Sequence, residues 1–440
     1  MGLNMNRPNP LLFLCLLLAF PAGVSAAEVY TLERAVTTAL ERNFSVKAAE
    51  EGREAARAGT SAARSAFGPV VGGSYAYDRR QHNQESTGRG VDRELYTWRA
   101  YLNQNLFAGF ATLADYQKAA LGEESARAGI SRARLELIRL VQVHFFTYLK
   151  AMEDVRSARD ALDRLRSQLE SSKAFYNVGV SPRIDVLQAE VDVSAAESAL
   201  LVAENSVETQ KARLHTLLLL PLDSAHDYAG KLDYIPFAKK LDECLQLAYR
   251  KRPDLIMAEK AAQMADKDVV RAQSGYYPQV NAYGAWGSRG NSADVSGSPN
   301  VSNRFSEWTV GVNAEWRLFE WGKTAFESRQ ARHESARIRA ESENLRQEVG
   351  FLIKERILSM TEAAKRIKVA QVAVEQAREA YRMAAARYRQ QVGTMTDVLD
   401  SQAKLSSAEA SLAGARADYS IALANLYSDM GEENPSLRNR

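Results

Sequence analysis

The stretch Tyr176-Asn-Val-Gly-Val-Ser-Pro-Arg-Ile-Asp-Val-Leu187 returns 212 residues later as Tyr388-Arg-Gln-Gln-Val-Gly-Thr-Met-Thr-Asp-Val-Leu399. The correspondence extends upstream at the same offset, where Leu106-Phe107-Ala108-Gly109 stands against Leu318-Phe319-Glu320-Trp321. Farther upstream, Pro69 stands against Pro278 at an offset of 209. Repetition over this length predicts that the chain contains two copies of one structural unit.

Each copy contains a very long helical pattern. Residues 130–178 contain neither glycine nor proline, and residues 301–434 contain no proline. Apolar and small residues recur at spacings of three and four, which indicates a coiled-coil seam. In the first copy the seam residues are Tyr148, Ala151, Val155, Ala158, Leu162, Leu165, Leu169, Ser172 and Tyr176, and in the second Met360, Ala363, Ile367, Ala370, Val374, Ala377, Tyr381, Ala384 and Tyr388. A helix over residues 112–176 would be about 100 Å long.

Each long helix is expected to reverse at a short turn, at residues 179–184 and 392–396. Ser181 followed by Pro182 suits an N-cap and first helical residue, and Thr394 or Thr396 can cap the second return helix. Gly179 and Gly393 suit a tight reversal, because glycine tolerates left-handed backbone conformations. The sequence therefore predicts two helical hairpins.

After Pro69 and Pro278 the apolar period changes to two. The clearest strand alternates Trp308, Val310, Val312, Ala314 and Trp316 with polar residues and glycine. From Trp308 to Trp316 it would span roughly 26 Å at about 3.3 Å per residue, which is close to the apolar band of an outer-membrane barrel. Tryptophans at the ends of such strands suit the two membrane interfaces. The candidates for these girdles are Trp98, Trp286, Trp308 and Trp316.

We count four such strands, in two hairpins. The mature chain contains no run of about 20 apolar residues, so a bilayer crossing would require strands closed into a barrel. Four strands are too few, because the smallest outer-membrane barrels use about eight. The chain is therefore expected to oligomerise, and three copies would supply twelve strands.

Residues 1–26 resemble a secretory signal, with Arg7, an apolar run over residues 11–20 and Val24-Ser25-Ala26 at the cleavage site. Cys15 follows a phenylalanine and a leucine rather than the small residue that lipid attachment requires, so lipidation is not favoured. Removal of this segment leaves Cys244 as the single cysteine, which excludes an intramolecular disulfide.

The residues that commonly carry catalysis or bind metals and cofactors show no pattern that is typical of an enzyme. The 57 basic and 54 acidic residues are interspersed, which argues against nucleic acid as a partner. The five histidines are scattered, so no metal site and no cofactor are predicted. No phosphate loop or nucleophile–base pair stands out, and the chain is not expected to be an enzyme.

The order of these features predicts the domain organisation. A first repeat at residues 27–220 contains a helix, a β-hairpin at about 70–106 and a helical hairpin. A linker at 221–240 precedes a second repeat at 241–430, with its β-hairpin at about 279–318. Residues 431–440 form a tail.

Taken together, the signal, the two β-hairpins, the Leu-Phe-x-Gly and Leu-Phe-x-Trp-Gly junctions and the paired tips resemble the TolC family of outer membrane efflux proteins. The resemblance implies a mixed α and β fold, in which a trimeric twelve-stranded barrel in outer membrane lipid continues into a periplasmic α-helical tunnel. It also implies two partners, a periplasmic adaptor and an inner membrane transporter that is either an ABC pump or proton-driven. The type of cargo, whether a protein, a drug, a metal or another small molecule, remains open.

The resemblance also assigns roles at the tips. Asp397 and Asp400 match the carboxylates of the pore constriction, and Tyr388 matches a gating tyrosine whose acceptor is Asp185. Tyr176 is the equivalent tyrosine of the first tip. The turn residues Gly179, Ser181, Pro182, Gly393 and Thr394 would face the adaptor. The family's best-known member has an arginine where this chain has Gly393.

Simpler interpretations remain open for these residues. Aspartates in a first helical turn compensate the helix dipole, and tyrosines on a seam pack in a core. For the whole chain, the alternative is a periplasmic coiled-coil scaffold or adaptor without a pore. Adaptors of such pumps normally carry one hairpin, whereas this chain has two hairpins and membrane-type strands.

Overall fold

The computed structural model describes residues 29–84, 89–290 and 305–434, together with residues 292, 293 and 295. The predicted signal at residues 1–26 and the end of the predicted tail, residues 435–440, lie outside this part of the chain. The helices are α1 (Leu32–Arg42), α2 (Phe44–Ser65), α3 (Ala111–Asn177), α4 (Arg183–Leu218), α5 (Leu241–Lys251), α6 (Pro253–Gln273), α7 (Lys323–Arg389) and α8 (Met395–Asp429). The strands are β1 (Val29–Tyr30), β2 (Val70–Gln84), β3 (Arg89–Ala108), β4 (Asp227–Tyr228), β5 (Gln279–Gly290) and β6 (Phe305–Glu315).

The two long helices have the same length. Helices α3 and α7 contain 67 residues each, which corresponds to about 100 Å. Their bounds differ by 212 residues at both ends, which confirms the internal repeat. Each long helix packs along its return helix, α3 with α4 and α7 with α8. Within the described ranges, no helix combines the length and apolar character needed to cross a bilayer.

The seam of the second hairpin is buried along most of its length. Met360, Ala363, Ile367, Ala370 and Val374 all lie in the interior between α7 and neighbouring helices. The alternation of large side chains with alanine lets the helices approach closely, because small residues leave room for the facing knobs. The coiled-coil prediction is therefore confirmed.

Polar contacts tie the two hairpins to each other. The Arg164 guanidinium on α3 donates to Gln402 on α8 at 2.9 Å and lies 3.4 Å from the carboxylate of Glu409. The same carboxylate lies 3.4 Å from Arg378 on α7 and accepts from Ser157 at 3.3 Å. Glu409 thus joins α3, α7 and α8, so that the hairpins are coupled about four helical turns from the tips.

Short elements pack against the sides of the long helices. Strand β1 pairs in parallel with β4, and Tyr228 packs with Phe145 and Tyr148 of α3 in an apolar cluster that also contains α1. Burial raises the pKa of the Tyr228 hydroxyl. In the second copy Cys244 of α5 is fully buried against α7 and α8. Both repeats therefore have their own core at this level.

The remaining four strands form one antiparallel sheet in the order β2-β3-β5-β6. Within the first hairpin Val70 pairs with Asn103, and within the second Gln279 pairs with Glu315. The second pair is the first shifted by 209 and 212 residues, so the two hairpins share one register. Strands β3 and β5 pair with each other. Strands β2 and β6 are therefore the two edges of the sheet within the chain.

The register sorts the side chains into an apolar and a polar face, because directly opposed residues point to the same side. Trp286 lies opposite both Trp308 and Ala100, and Tyr75 lies opposite Trp98. This face also carries Val71, Leu102, Val280, Ala282, Val310, Val312 and Ala314. The opposite face carries Arg99, Asn103, Asn281, Asn313 and Glu315. Four strands with one lipid-compatible face confirm the prediction for this part of the chain.

The buried seam should control stability. We expect Ile367→Ala on α7 to destabilise the protein by about 2–5 kcal/mol, because Ile367 is buried and its removal leaves a cavity. The adjacent Lys368→Ala, an exposed position, should change the stability by less than about 0.5 kcal/mol. Thermal unfolding of the two variants, followed by the loss of helical circular dichroism in detergent, tests this. Equal melting temperatures for both variants would contradict the assignment of the seam.

Candidate functional site at the hairpin tips

Both long helices end in the same backbone motif. The backbone N–H of Val180 donates to the carbonyl of Phe175, and that of Gly179 to the carbonyl of Tyr176. In the second hairpin, Val392 donates to Arg387 and Gln391 to Tyr388, again at the offset of 212. These are the two bonds of a Schellman motif, which satisfies the last carbonyls of a helix. The turns themselves are residues 178–182 and 390–394, close to the predicted ranges.

The left-handed position of each turn does not match the predicted glycines in both copies. Gly179 has a φ of 76° and fills this position in the first turn, whereas Gln391, with a φ of 62°, fills it in the second. Gly393 has no left-handed φ. A Cβ at Gly393 would lie 3.1 Å from the Cβ of Arg387 and 3.3 Å from the backbone nitrogen of Tyr388. Close packing against the end of α7, rather than the reversal, is therefore what favours glycine at this position.

The two return helices begin with different caps. Thr394 caps α8, and a full capping box forms because its hydroxyl accepts from the Asp397 backbone N–H while the Asp397 carboxylate accepts from the Thr394 backbone N–H. In the first tip the N-cap is Pro182 rather than Ser181, one residue later than predicted. Ser181 instead donates its hydroxyl to the Asp185 carboxylate.

The tyrosines of the two tips lie in different environments. Tyr388 is buried, its hydroxyl lies 3.3 Å from the hydroxyl of Ser172 on α3, and its ring lies 5.7 Å from that of Phe175. Tyr176 is exposed in the last turn of α3. The contact of Tyr388 with Ser172 connects the inner ends of the two hairpins. Within one chain Tyr388 and Asp185 thus have different partners, Ser172 and Ser181.

Two further residues complete the contact around Tyr388. Gln168 on α3 and Met395 at the start of α8 are both buried, and the Gln168 amide donates to the Met395 sulfur at 3.3 Å. Sequence reasoning placed Ser172 on the seam but did not identify this set, because a glutamine beside a seam carries no periodic signal. A buried glutamine facing a methionine is recognisable only from the fold.

The predicted constriction residues stand on the exposed side of α8. Asp397 and Asp400 lie three residues apart, an arrangement that places both carboxylates on one face of the helix. Hydrogen bonds from the Thr394 hydroxyl and then from its backbone hold the pKa of Asp397 below its usual value. Asp400 forms an ion pair with Lys404 at 2.7 Å. The capping box thus favours the ionised form of Asp397.

An open groove runs beside these carboxylates. It has a volume of about 800 Å³ and is lined by α7 and the start of the return helix, with Glu379, Met383, Arg387, Gly393 and Asp397 among its residues. In the described part of the chain, no three His, Cys, Asp or Glu side chains lie together as a metal site. The groove itself combines the carboxylates of Glu379 and Asp397 with the Arg387 guanidinium.

At the opposite end of the molecule, the four candidate tryptophans lie at two levels. Trp98 and Trp286 meet edge to face with centroids 5.0 Å apart, and Trp308 is opposite Trp286 on the next strand. Trp316 follows β6 near the helical body and donates its indole N–H to the carbonyl of Tyr276 at 3.1 Å. Two aromatic levels on the apolar face are typical of the interfaces of a membrane barrel.

A sheet with one lipid-compatible face, continuous with two helical hairpins about 100 Å long, is the architecture of an outer-membrane channel subunit. The model of the family of outer membrane efflux proteins matches residues 35–218 and 244–432, and the chain belongs to this family. The two matched segments are the two repeats. Family membership places the strands in the outer membrane and the helices in the periplasm.

Among known proteins, the chain is 22% identical to the outer membrane protein TolC of Vibrio cholerae over 292 residues, which cover 63% of both chains. It is 25% identical to the alkaline protease secretion protein AprF of Pseudomonas aeruginosa over 316 residues, 67% of this chain and 62% of AprF. The chain thus spans a little under two thirds of the length of these relatives. Among solved structures, the CmeC outer membrane channel of Campylobacter jejuni has a TM-score of 0.81 at 17% identity, covering 91% of this chain and 85% of CmeC.

The capping box at the start of α8 can be tested by substitution of Thr394. We expect Thr394→Ala to accelerate amide hydrogen exchange at residues 395–398, because loss of a threonine N-cap removes about 1 kcal/mol of helix stability. The matched control is Thr396→Ala, which removes the same side chain from a position that does not cap α8. Hydrogen exchange followed by mass spectrometry of tip peptides compares the two variants. Equal protection in both would contradict the capping box.

The depressed pKa of Asp397 gives this contribution a pH dependence. A carboxylate with a lowered pKa stabilises the folded tip above its ordinary pKa, and this contribution is lost as the pH falls through the depressed value. We therefore expect the protection of the tip to be constant at neutral pH and to decrease only in strong acid. An Asp397→Asn variant should show no such step in the same exchange experiment.

Proposed function

We propose that the protein is a homotrimeric, passive exit duct of a tripartite export system, without catalytic activity of its own. Substrates would pass from an inner membrane transporter through a periplasmic adaptor into the helical tunnel and leave through the barrel. The observation that carries the proposal is the continuity of an amphipathic four-stranded sheet with two helical hairpins in one chain. A scaffold without a pore has no need for such a sheet.

The sheet supports oligomerisation by its open edges. Strands β2 and β6 have no partner strand on their outer sides among the described residues. Backbone N–H and C=O groups left unpaired in lipid are very unfavourable, and only closure of the barrel removes the edges. Three copies would close a barrel of twelve strands, the architecture that the family resemblance implies. The polar face of each sheet then lines the pore.

The tips support the proposed gate. In a trimer, Asp397 and Asp400 would form two rings of three carboxylates, which attract cations at the narrow end of the tunnel. The buried contact between Tyr388 and Ser172 would hold the inner hairpin against the outer one in the closed state. Opening would be an outward movement of α7 and α8 that releases this contact. This latch differs from the predicted bond to Asp185.

The exposed turns support docking of the adaptor. Gly179, Ser181 and Pro182 form one turn, and Gly393 and Thr394 belong to the other, both at the far end of the helical body. The names of the relatives include a protease secretion protein and an efflux protein. We propose a duct that receives cargo from its partners, with the choice between protein and small molecule made by the transporter. The duct itself would then need no cargo-binding pocket.

Conductance of the purified protein in a planar bilayer tests this function. We expect a detergent-extracted trimer, with its mass measured on the same sample, to give small cation-selective channels. A soluble species that gives no channels would refute the duct and favour the coiled-coil scaffold.

The carboxylate rings can be tested on the same channels. We expect Asp397→Ala combined with Asp400→Ala to raise single-channel conductance and to weaken block by multivalent cations, because six carboxylates leave the constriction. The variant Asp397→Asn with Asp400→Asn keeps the side-chain size and separates charge from width. Block that is unchanged in both double variants would remove these residues from the gate.

A further inference from the structure

The two strand-to-helix junctions have the same backbone and different side chains. After β3, Gly109 and Phe110 have φ values of 59° and 72°, and after β6, Trp321 and Gly322 have φ values of 51° and 81°. The two pairs are related by the offset of 212. Each junction therefore uses two consecutive left-handed residues, but glycine and the aromatic residue have exchanged places.

The first junction is packed inside the chain. The ring of Phe110 lies 5.3 Å from that of Phe107 and 5.4 Å from that of Tyr277, in both cases edge to face. A Cβ at Gly109 would lie 2.4 Å from the carbonyl oxygen of Ser274 and 3.0 Å from the Cβ of Tyr277. The backbone carbonyl of Ser274 is the closer of these two groups, and together with Tyr277, the residue that leads into β5, it leaves room only for glycine.

The second junction has no such cover in the described part of the chain. Trp321 is 87% exposed and Phe319 is 73% exposed, and their rings meet at a tilt of 60° with centroids 5.0 Å apart. A bulky residue in the left-handed region is unfavourable and persists only where its surroundings determine it. Among the described residues, none buries Trp321 in this conformation. The strain and the exposure together indicate a partner outside the chain.

The internal repeat identifies that partner. The end of β3 packs against the residues that precede β5. In the internal repeat, β6 is the equivalent of β3, and β2 is the equivalent of β5. The end of the edge strand β6 is therefore expected to pack against the residues that precede a β2 strand. The equivalence is visible in one hydrogen bond: Gln104 donates to the carbonyl of Phe67, and Trp316, at an offset of 212, donates to the carbonyl of Tyr276, at an offset of 209. By the same offset of 209, Gly68 takes the place of Tyr277.

We propose that Trp321 of one protomer fills the space above Gly68 of the adjacent copy, an inference that rests on the proposed homotrimer. Inside the chain a small residue, Gly109, faces the large Tyr277. Between chains a large residue, Trp321, faces the small Gly68. The exchange keeps the total volume at the two junctions similar while it makes the surfaces different. Gly109 then fits beside Tyr277 and Trp321 beside Gly68, whereas the exchanged combinations would leave a space or produce a clash.

The same offsets fix the register between chains. Inside the chain Ala100 pairs with Trp286, Leu102 with Gly284 and Gln104 with Ala282. The equivalent pairs between β6 and the β2 strand of the adjacent copy are Val312 with Tyr77, Ala314 with Tyr75 and Trp316 with Gly73. All six residues lie on the apolar side of the sheet. The two sequence offsets by themselves do not require this agreement between the faces. A register shifted by one residue would place tyrosines against the polar face.

Gly68 also leaves room for the experiment. It has no left-handed φ, and the nearest heavy atom to an added Cβ is the carbonyl oxygen of Ser65 at 3.3 Å. A side chain at this position therefore requires a local shift of a few tenths of an ångström in the single chain. Its main effect should appear on assembly.

A size exchange tests the proposed contact. We expect Gly68→Tyr to lower the temperature at which the detergent-solubilised trimer dissociates, because the new ring meets Trp321. Trp321→Gly should also lower it, because a space is left. The double variant Gly68→Tyr with Trp321→Gly should recover most of the loss, since it recreates the pair of Tyr277 and Gly109. Additive losses in the double variant would overturn the proposal, and circular dichroism of each single variant reports that the chain itself still folds.

Disulfide cross-linking tests the register independently. In a Cys244→Ala background, Asn313→Cys with Ala76→Cys should give covalent dimers and trimers on oxidation, because the proposed register places these pore-facing residues opposite each other. Asn313→Cys with Ser74→Cys, two residues out of register, should cross-link much less. Asn105→Cys with Asn281→Cys, opposed within one chain, should form an intramolecular disulfide and shows that the oxidant reaches the sheet.

The cross-linking and conductance results together distinguish a wrong register from a wrong proposed function. If the Ser74 pair cross-links and the Ala76 pair does not, the register is wrong, whereas channels in a planar bilayer from the same preparation would leave the duct intact. If no pair cross-links between chains and no channels form, the homotrimer and the function fall together.

Discussion

The constraint on which this molecule depends is the need to pair every backbone hydrogen-bonding group in lipid. A four-stranded sheet leaves one row of N–H and C=O groups unpaired at each edge, and a bilayer offers no water to satisfy them. The apolar face of the sheet commits it to lipid, while β2 and β6 remain open within the chain. In the proposed trimer, further copies would remove these edges, and each sheet would bring two hairpins to a common axis to form the helical tunnel.

The internal repeat supplies the same backbone twice, but the side chains of the two copies meet different surroundings. The ends of α3 and α7 form identical Schellman motifs, yet one left-handed position is filled by Gly179 and the other by Gln391. Tyr176 is exposed where its counterpart Tyr388 is buried. The same residue type is therefore exposed in one copy and buried in the other, according to which neighbouring helix covers it.

Electrostatics distinguishes the tips of the hairpins from the segment about four helical turns away. In that segment the mostly buried Glu409 carboxylate pairs with the partly buried Arg164, and such a pair holds helices together more firmly than an exposed one; Glu409 also pairs with the exposed Arg378. At the tip, Asp397 is exposed and hydrogen-bonds with Thr394 at the start of α8. The hairpins are thus joined by these polar contacts and, nearer their ends, by the small buried set around Tyr388.

The sequence by itself determined the long helices, the four strands, the repeat and the family, because these depend on local periodicity, on the absence of proline and on spacing along the chain. It also placed Thr394 among the possible caps of α8. The tertiary structure alone decided that Tyr388 contacts Ser172 within the chain, that Gly393 packs closely against the end of α7, and that Pro182 occupies the N-cap position of α4. It alone brought Tyr277 against Gly109 and left Trp321 uncovered. The physical reason is that these contacts join segments far apart in sequence, and periodicity records which face of a helix is buried without recording what buries it.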